Sequence, residues 1–114
     1  MAKDFITQET SSDFSAAESY GEIVFVTNDD MNNTRGSLHN EDLLRQIRMT
    51  LHKFNQKEDF IIIAGSPYVA GMVFMVLGRK GHDSIKFLRW SNCDRVYTPV
   101  TIEFNHRDEE SLHG

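Results

Sequence analysis

The stretch from Phe60 to Gly81, FIIIAGSPYVAGMVFMVLGRKG, carries no charged side chain before Arg79, and the way it divides decides the fold. Taken as one element it approaches the roughly 17–25 apolar residues that a membrane-spanning helix needs. Gly65-Ser66-Pro67 interrupts that reading. Serine followed by proline is a helix start, because serine caps free amides and proline lacks only an amide that would be unpaired there anyway. Phe60–Ala64 therefore reads as a buried strand. Pro67 to about Lys80 reads as a helix, ended by Gly78 and Gly81, with Arg79 and Lys80 favouring its negative end. No membrane span is expected.

Upstream, Leu43, Leu44, Ile47, Leu51 and Phe54 recur at helical spacing after Asn40-Glu41-Asp42, which predicts an amphipathic helix over 40–55 with Asn40 as its N-cap. Before it, EIVFVT at 22–27 reads as a first strand buried on both faces, followed by a loop with Asn33 and Gly36 as turn formers. Downstream, SIKFLRW and VYTPVTIEF flank the polar SNCDR and predict an antiparallel hairpin. Pro99 cannot donate to a ladder and places the last strand at the sheet edge, with Val100, Ile102 and Phe104 directed into the core. The expected order is β-α-β-α-β-β. This is a small α/β, Rossmann-like domain with a mostly parallel sheet and a C-terminal antiparallel edge hairpin.

The formal charge of −5 resides in the ends of the chain, since basic and acidic residues balance over 21–104. Residues 1–20 and 105–114, rich in Ser, Thr, Asp and Glu, are expected as mobile acidic segments around a single domain at 21–104. A neutral core argues against affinity for duplex nucleic acid. Arg45, Arg48 and His52 share a helix flank, which reads as a solvated face. A single cysteine, Cys93, cannot bridge internally, and no signal sequence follows Lys3, so the cytoplasm is the expected location.

In open α/β sheets ligands bind beyond the carboxyl ends of the strands, which draws attention to the loops Thr27–Gly36 and Ala64–Pro67. Asn28, Asp29, Asp30 and Arg35 on the first, with Gly65 and Ser66 on the second, are candidate ligand-binding residues. The helix start offers amides to a phosphate or carboxylate. The two aspartates would repel a bare phosphate unless Arg35 folds back, magnesium is shared, or a sugar hydroxyl faces them. The plain alternative has Asn28 and Asp29 capping turns and Asp30 solvated.

No dinucleotide fingerprint, P-loop, nucleophile elbow or metal-ligand spacing is present, so no catalytic residue, metal or cofactor is assigned. The helix after Ser66 is apolar on all sides. Tyr68, Met72, Phe74 and Met75, with Trp90 and Tyr97 near the hairpin turn, are therefore candidate interface residues for self-association or a protein partner.

From Gly65 onward the pattern of a Gly-x-Pro turn, an apolar helix and a hairpin carrying Leu88, Trp90, Tyr97 and Pro99 resembles small phage-encoded α/β accessory proteins. That resemblance transfers no catalytic residue. It implies a phage or mobile-element protein that binds a host component or assists an infection process, while the all-round apolar helix points to a non-enzymatic binding or regulatory module that self-associates. The alternative from the residues is a nucleotide or phospho-ligand protein, with magnesium and weak hydrolysis, at the carboxyl edge of the sheet.

Overall fold

Ser66 and Pro67 open a helix in the computed structural model, which describes residues 1–104; the tail expected at 105–114 lies outside the described residues. Ser66 Oγ accepts from the amides of Tyr68 and Val69, and helix α2 runs Pro67–Arg79 with Pro67 at its first position. Before it, β3 is Phe60–Ile62, buried at all three positions. No helix among the described residues is long and apolar enough to cross a membrane.

Helix α1, Leu38–Thr50, begins earlier than Asn40. Ser37 is its N-cap, accepting from His39 N–H at 3.1 Å. The Asn40 side chain instead closes the preceding loop, accepting from Asn32 N–H at 2.6 Å and donating to Asn32 C=O at 2.8 Å. A 3-10 turn, Leu51–Lys53, extends the helix.

The largest departure is at the amino end. Residues 1–20 were expected to be mobile and outside the domain, yet Lys3–Ile6 forms β1 inside the sheet, with Phe5 and Ile6 fully buried. Strand β2 is Glu22–Phe25, and β4, Ser84–Ser91, forms an antiparallel hairpin with β5, Val96–Glu103. The sheet order is β2-β1-β3-β4-β5, parallel except for β5. The fold is thus a small α/β domain with a five-stranded mixed sheet and two helices, and the expected strand order gains one strand at its start. Because β1 takes the inner place, β2 is an edge strand and only partly buried, not covered on both faces.

The connection from β1 to β2 steps one way across the sheet, whereas those to β3 and β4 step the other way. Connections of one hand that travel in opposite directions must cover opposite faces. The two cores show this. Both helices pack with Phe5, Val26, Ile61 and Ile85 on one face. The segment carrying Phe14, Ala17 and Tyr20, with its 3-10 turn at Ser15–Ala17, covers Ile6, Phe60, Ile62 and Leu88 on the other.

Inward burial of Val69, Val73, Val76 and Leu77 holds α2 to the sheet, at roughly 1.5–3 kcal/mol for each such side chain. The hairpin occupies the predicted edge, but Val100, Ile102 and Phe104 do not enter the core; they are 37%, 41% and 58% exposed. The register pairs Ile102 with Ile85 and Val100 with Phe87, so both lie on the helix-side face. α2 covers that face as far as Phe87, whose ring meets Phe74 at 5.8 Å, and edge strand β5 extends past it.

Candidate functional site

The carboxyl ends of β1 and β3 adjoin where the connections diverge, the place at which open sheets usually form a crevice. In this chain the gap is closed by two polar side chains that follow β1. Thr7, fully buried, extends the pairing of β1 and β3: its Oγ1 donates to Ala64 C=O at 2.9 Å and accepts from Ala64 N–H at 3.0 Å. Gln8 spans from the β3–α2 turn to the loop after β2. Its Oε1 accepts from Ser66 N–H at 2.6 Å and its Nε2 donates to Asp29 C=O at 2.9 Å. Gly65 is required beneath it, with φ of +76° and a position where an added Cβ would overlap Gln8 Oε1.

The two loops read as candidate ligand sites are therefore joined through Gln8. Asp29 accepts from Gln46 Nε2 at 3.0 Å, and its own amide donates to Thr27 Oγ1. Asp30 receives Met31 N–H on its carboxylate, while its carbonyl meets the His39 ring at 2.7 Å. Asn28, Asp30 and Arg35 are exposed. At the helix start, Ser66 N–H goes to Gln8 and the Tyr68 and Val69 amides go to Ser66 Oγ. Donors that an anion would use thus have partners within the chain.

An open cleft of about 970 Å³ lies beside this closed region. Its walls are the 10–16 segment, the end of β3 with Ala64 and Gly65, and the far half of the hairpin. It exists because β3 stops at Ile62 while β4, paired to it at Ile61 and Phe87, runs on to Ser91. Side chains from both faces of the hairpin therefore reach the opening. Trp90 packs its ring on Tyr97 at 4.9 Å and is 39% exposed, whereas Tyr97 is buried. Burial raises the Tyr97 phenol pKa, as does the charge of Asp13. Phe14, Ile62, Ile63, Leu88 and Val100 make the lining mainly apolar, and its charged members are Asp13, Arg89 and Arg95. The Asp13 carboxylate accepts from Ser15 N–H at 2.9 Å, which holds its pKa below the ordinary carboxylate value.

Of the residues expected at an interface, Trp90 and Tyr97 meet in this cleft. Tyr68 and Met75 are exposed on α2, while Met72 and Phe74 pack partly against the helix-side core. Gly65 lines the cleft; Asn28, Asp29, Asp30 and Arg35 do not. Sequence reading missed Thr7, Gln8, Asp13, Arg89 and Arg95. The only local signal was Asp13 two residues before Ser15, a spacing suited to a side-chain turn.

A further acid, Asp4, is completely buried on the face opposite the helices, between Ile23 and Phe60 in register, and neither carboxylate oxygen has a hydrogen-bond partner among the described residues. Burial first, and the charge of Asp59 second, raises its pKa to about 6. Asp59 itself accepts from Lys3 N–H and Asn55 N–H. Asp4 does not line the cleft. Among the described residues no group of His, Cys, Asp and Glu is arranged to hold a metal ion.

Compared with known families, the chain matches the Phage Pam3 gp32-like protein family over residues 2–104. No curated protein and no solved structure gave a match. The chain belongs to that phage protein family, in agreement with the resemblance of its second half to phage-encoded proteins.

Proposed function

We propose that this phage Pam3 gp32-like chain is a non-enzymatic accessory protein that binds a protein partner through the cleft at the end of β3, acting on a host component in the host cytoplasm. The cleft itself carries this reading. It combines a size suited to recognition, a lining rich in aromatic and aliphatic groups, and few polar side chains. Its hydroxyls come from Thr10, Ser12, Ser15 and Tyr97 and its carboxylate from Asp13, and among the described residues no histidine or lysine lines it as a base beside a nucleophile. Exposed Tyr68 and Met75 on α2 support self-association through a second surface.

Quantitative capture from host extract, comparing the natural chain with Trp90→Ala, tests the binding role. Host proteins retained by the first and lost with the second are expected; identical recoveries refute it. Sedimentation of the natural chain and Met75→Glu tests the oligomer, and a monomer at every concentration refutes that part.

The phospho-ligand reading keeps one supporting observation, the junction of the Asp29 and Ser66 loops through Gln8. In that reading Asn28, Asp29, Asp30 and Arg35 meet a nucleotide with magnesium, on a doubly wound, Rossmann-like edge. Calorimetry with a nucleotide panel, with and without magnesium, decides it; absence of heat with every nucleotide removes it.

A further inference from the structure

The cleft has polarity as well as an apolar lining. Arg89 and Arg95 have no ion-pair or hydrogen-bond partner for their guanidinium groups among the described residues, whereas the Asp13 carboxylate is engaged by Ser15. The lining is net positive in a chain of charge −5.

Arg95 also holds an unfavourable backbone. Its φ is +56°, at a hairpin turn closed by its amide on Ser91 C=O at 2.7 Å, where glycine or asparagine would sit with less strain. Arginine at such a position points to a use for its side chain.

The edge of β4 contributes too. Phe104 N–H donates to Asp83 C=O, and alternation along an antiparallel ladder then turns the backbone groups of Trp90 away from β5, towards the space that β3 leaves empty. On the outer edge of β5 the same alternation places Pro99 between the outward amides of Tyr97 and Thr101, so that edge is poorly suited to strand addition. The opening on the β4 side is not blocked in this way.

We infer that the cleft receives an extended acidic segment of a partner protein, which sets an apolar side chain beside Trp90 and a carboxylate on Arg89 or Arg95. This rests on the binding role proposed above. A small ligand fits less well, since Ile63, Trp90 and Ile102 are left exposed around the opening and enclosure would be incomplete. Single-stranded nucleic acid also uses aromatic and arginine side chains, but it needs a basic track, and the lining offers two cations with one carboxylate among them. Carboxylates on a peptide match separate guanidinium donors without that track.

Trp90 is the chain's single tryptophan, so its emission reports on the cleft alone. A random-peptide library is selected against the natural protein, and tryptophan-free peptides from it are titrated by Trp90 emission. The variants are Arg89→Ala and Arg95→Gly, the second chosen because it relaxes the turn and should leave melting temperature unchanged or raised.

Enrichment of Asp or Glu near aromatic residues or leucine is expected, with binding about tenfold weaker or more in the double variant. Neutral or basic peptides that shift Trp90 emission, or acidic ones that bind both proteins equally, overturn the acidic assignment and leave the binding role standing. A shift with oligothymidylate and none with peptides assigns the cleft to nucleic acid and overturns both, as does the absence of any response.

Discussion

Replacing Asp4 by asparagine should remove one loss of stability that develops as pH rises, and the size of the change follows from its position. The carboxyl is fully buried, without a hydrogen-bond partner among the described residues, and its pKa is raised from 3.8 to about 6 by burial and by Asp59. An acid whose folded pKa lies above its unfolded value binds more protons folded than unfolded between the two, so stability falls as pH rises through that window. Here the window runs from 3.8 to about 6. At about 1.4 kcal/mol per pH unit, the ionised group costs the folded state about 3 kcal/mol above the window. Roughly 2 kcal/mol of that develops between about pH 4.5 and about pH 8.

Other groups contribute to the total curve with the opposite sign. His82, whose pKa burial lowers, loses stability as pH falls, and so does Asp13, whose carboxylate is favoured when ionised. The difference between Asp4→Asn and the natural chain cancels both. Urea denaturation of the two proteins at about pH 4.5 and about pH 8 should show asparagine gaining on aspartate by about 2 kcal/mol at the higher pH, whatever constant offset its amide introduces. A difference that stays constant with pH, or that moves towards aspartate as pH rises, refutes the account of Asp4 as a buried acid lacking a compensating partner.

Three further substitutions probe the closed part of the carboxyl edge and its support. Thr7→Val keeps shape but removes the hydroxyl that serves both Ala64 N–H and Ala64 C=O, and should cost about 2–3 kcal/mol in denaturant titration. Gly65→Ala combines a positive φ with overlap onto Gln8 and should cost about 2 kcal/mol or more; an unchanged melting temperature would contradict the turn geometry. Lys80→Met removes the ammonium that donates to Leu51 C=O at 2.6 Å and His52 C=O at 3.2 Å; a loss of about 1 kcal/mol is expected, reduced by solvent screening, with faster amide exchange over Leu51–Lys53.

The helix start at Ser66-Pro67, the hairpin and its place at the edge were legible because each depends on local chemistry: a cap, a turn and a missing donor. β1 was not legible for the same reason. Lys3-Asp4-Phe5-Ile6 is four residues long and contains two charges, and its inclusion depends on partners some twenty and some sixty residues away. Asp4 in particular reads as a surface residue until β2 and β3 enclose it. The outward position of Val100 and Ile102 was hidden in a similar way: alternation shows that they share a face, but only the extent of α2 decides whether that face is covered. At the candidate site, Trp90 and Tyr97 were visible as aromatics near a turn. Arg89 and Arg95 were not, because only the early end of β3 opens a space beside them.

That early end also explains why the open cleft lies to one side of the expected crevice. Between β1 and β3, where the chain direction changes, Thr7 and Gln8 supply the hydrogen bonds that a ligand would otherwise make, and Ser66 uses its hydroxyl on its own helix. Between β3 and β4 no polar bridge among the described residues replaces the missing length of strand, and Trp90, Arg89 and Arg95 remain on the opening. One half of the edge thus has its polar groups paired internally, which favours rigidity. The other half retains aromatic surface and cations lacking partners among the described residues, the combination from which binding free energy is obtained when a complementary segment displaces water. Rigidity of the first half serves the second, because Gly65 and Ala64 belong to both: they are fixed by Gln8 and Thr7 on one side and form the wall of the cleft on the other. Loss of the Thr7 hydroxyl should therefore weaken binding at Trp90 as well as stability, although Thr7 does not line the cleft.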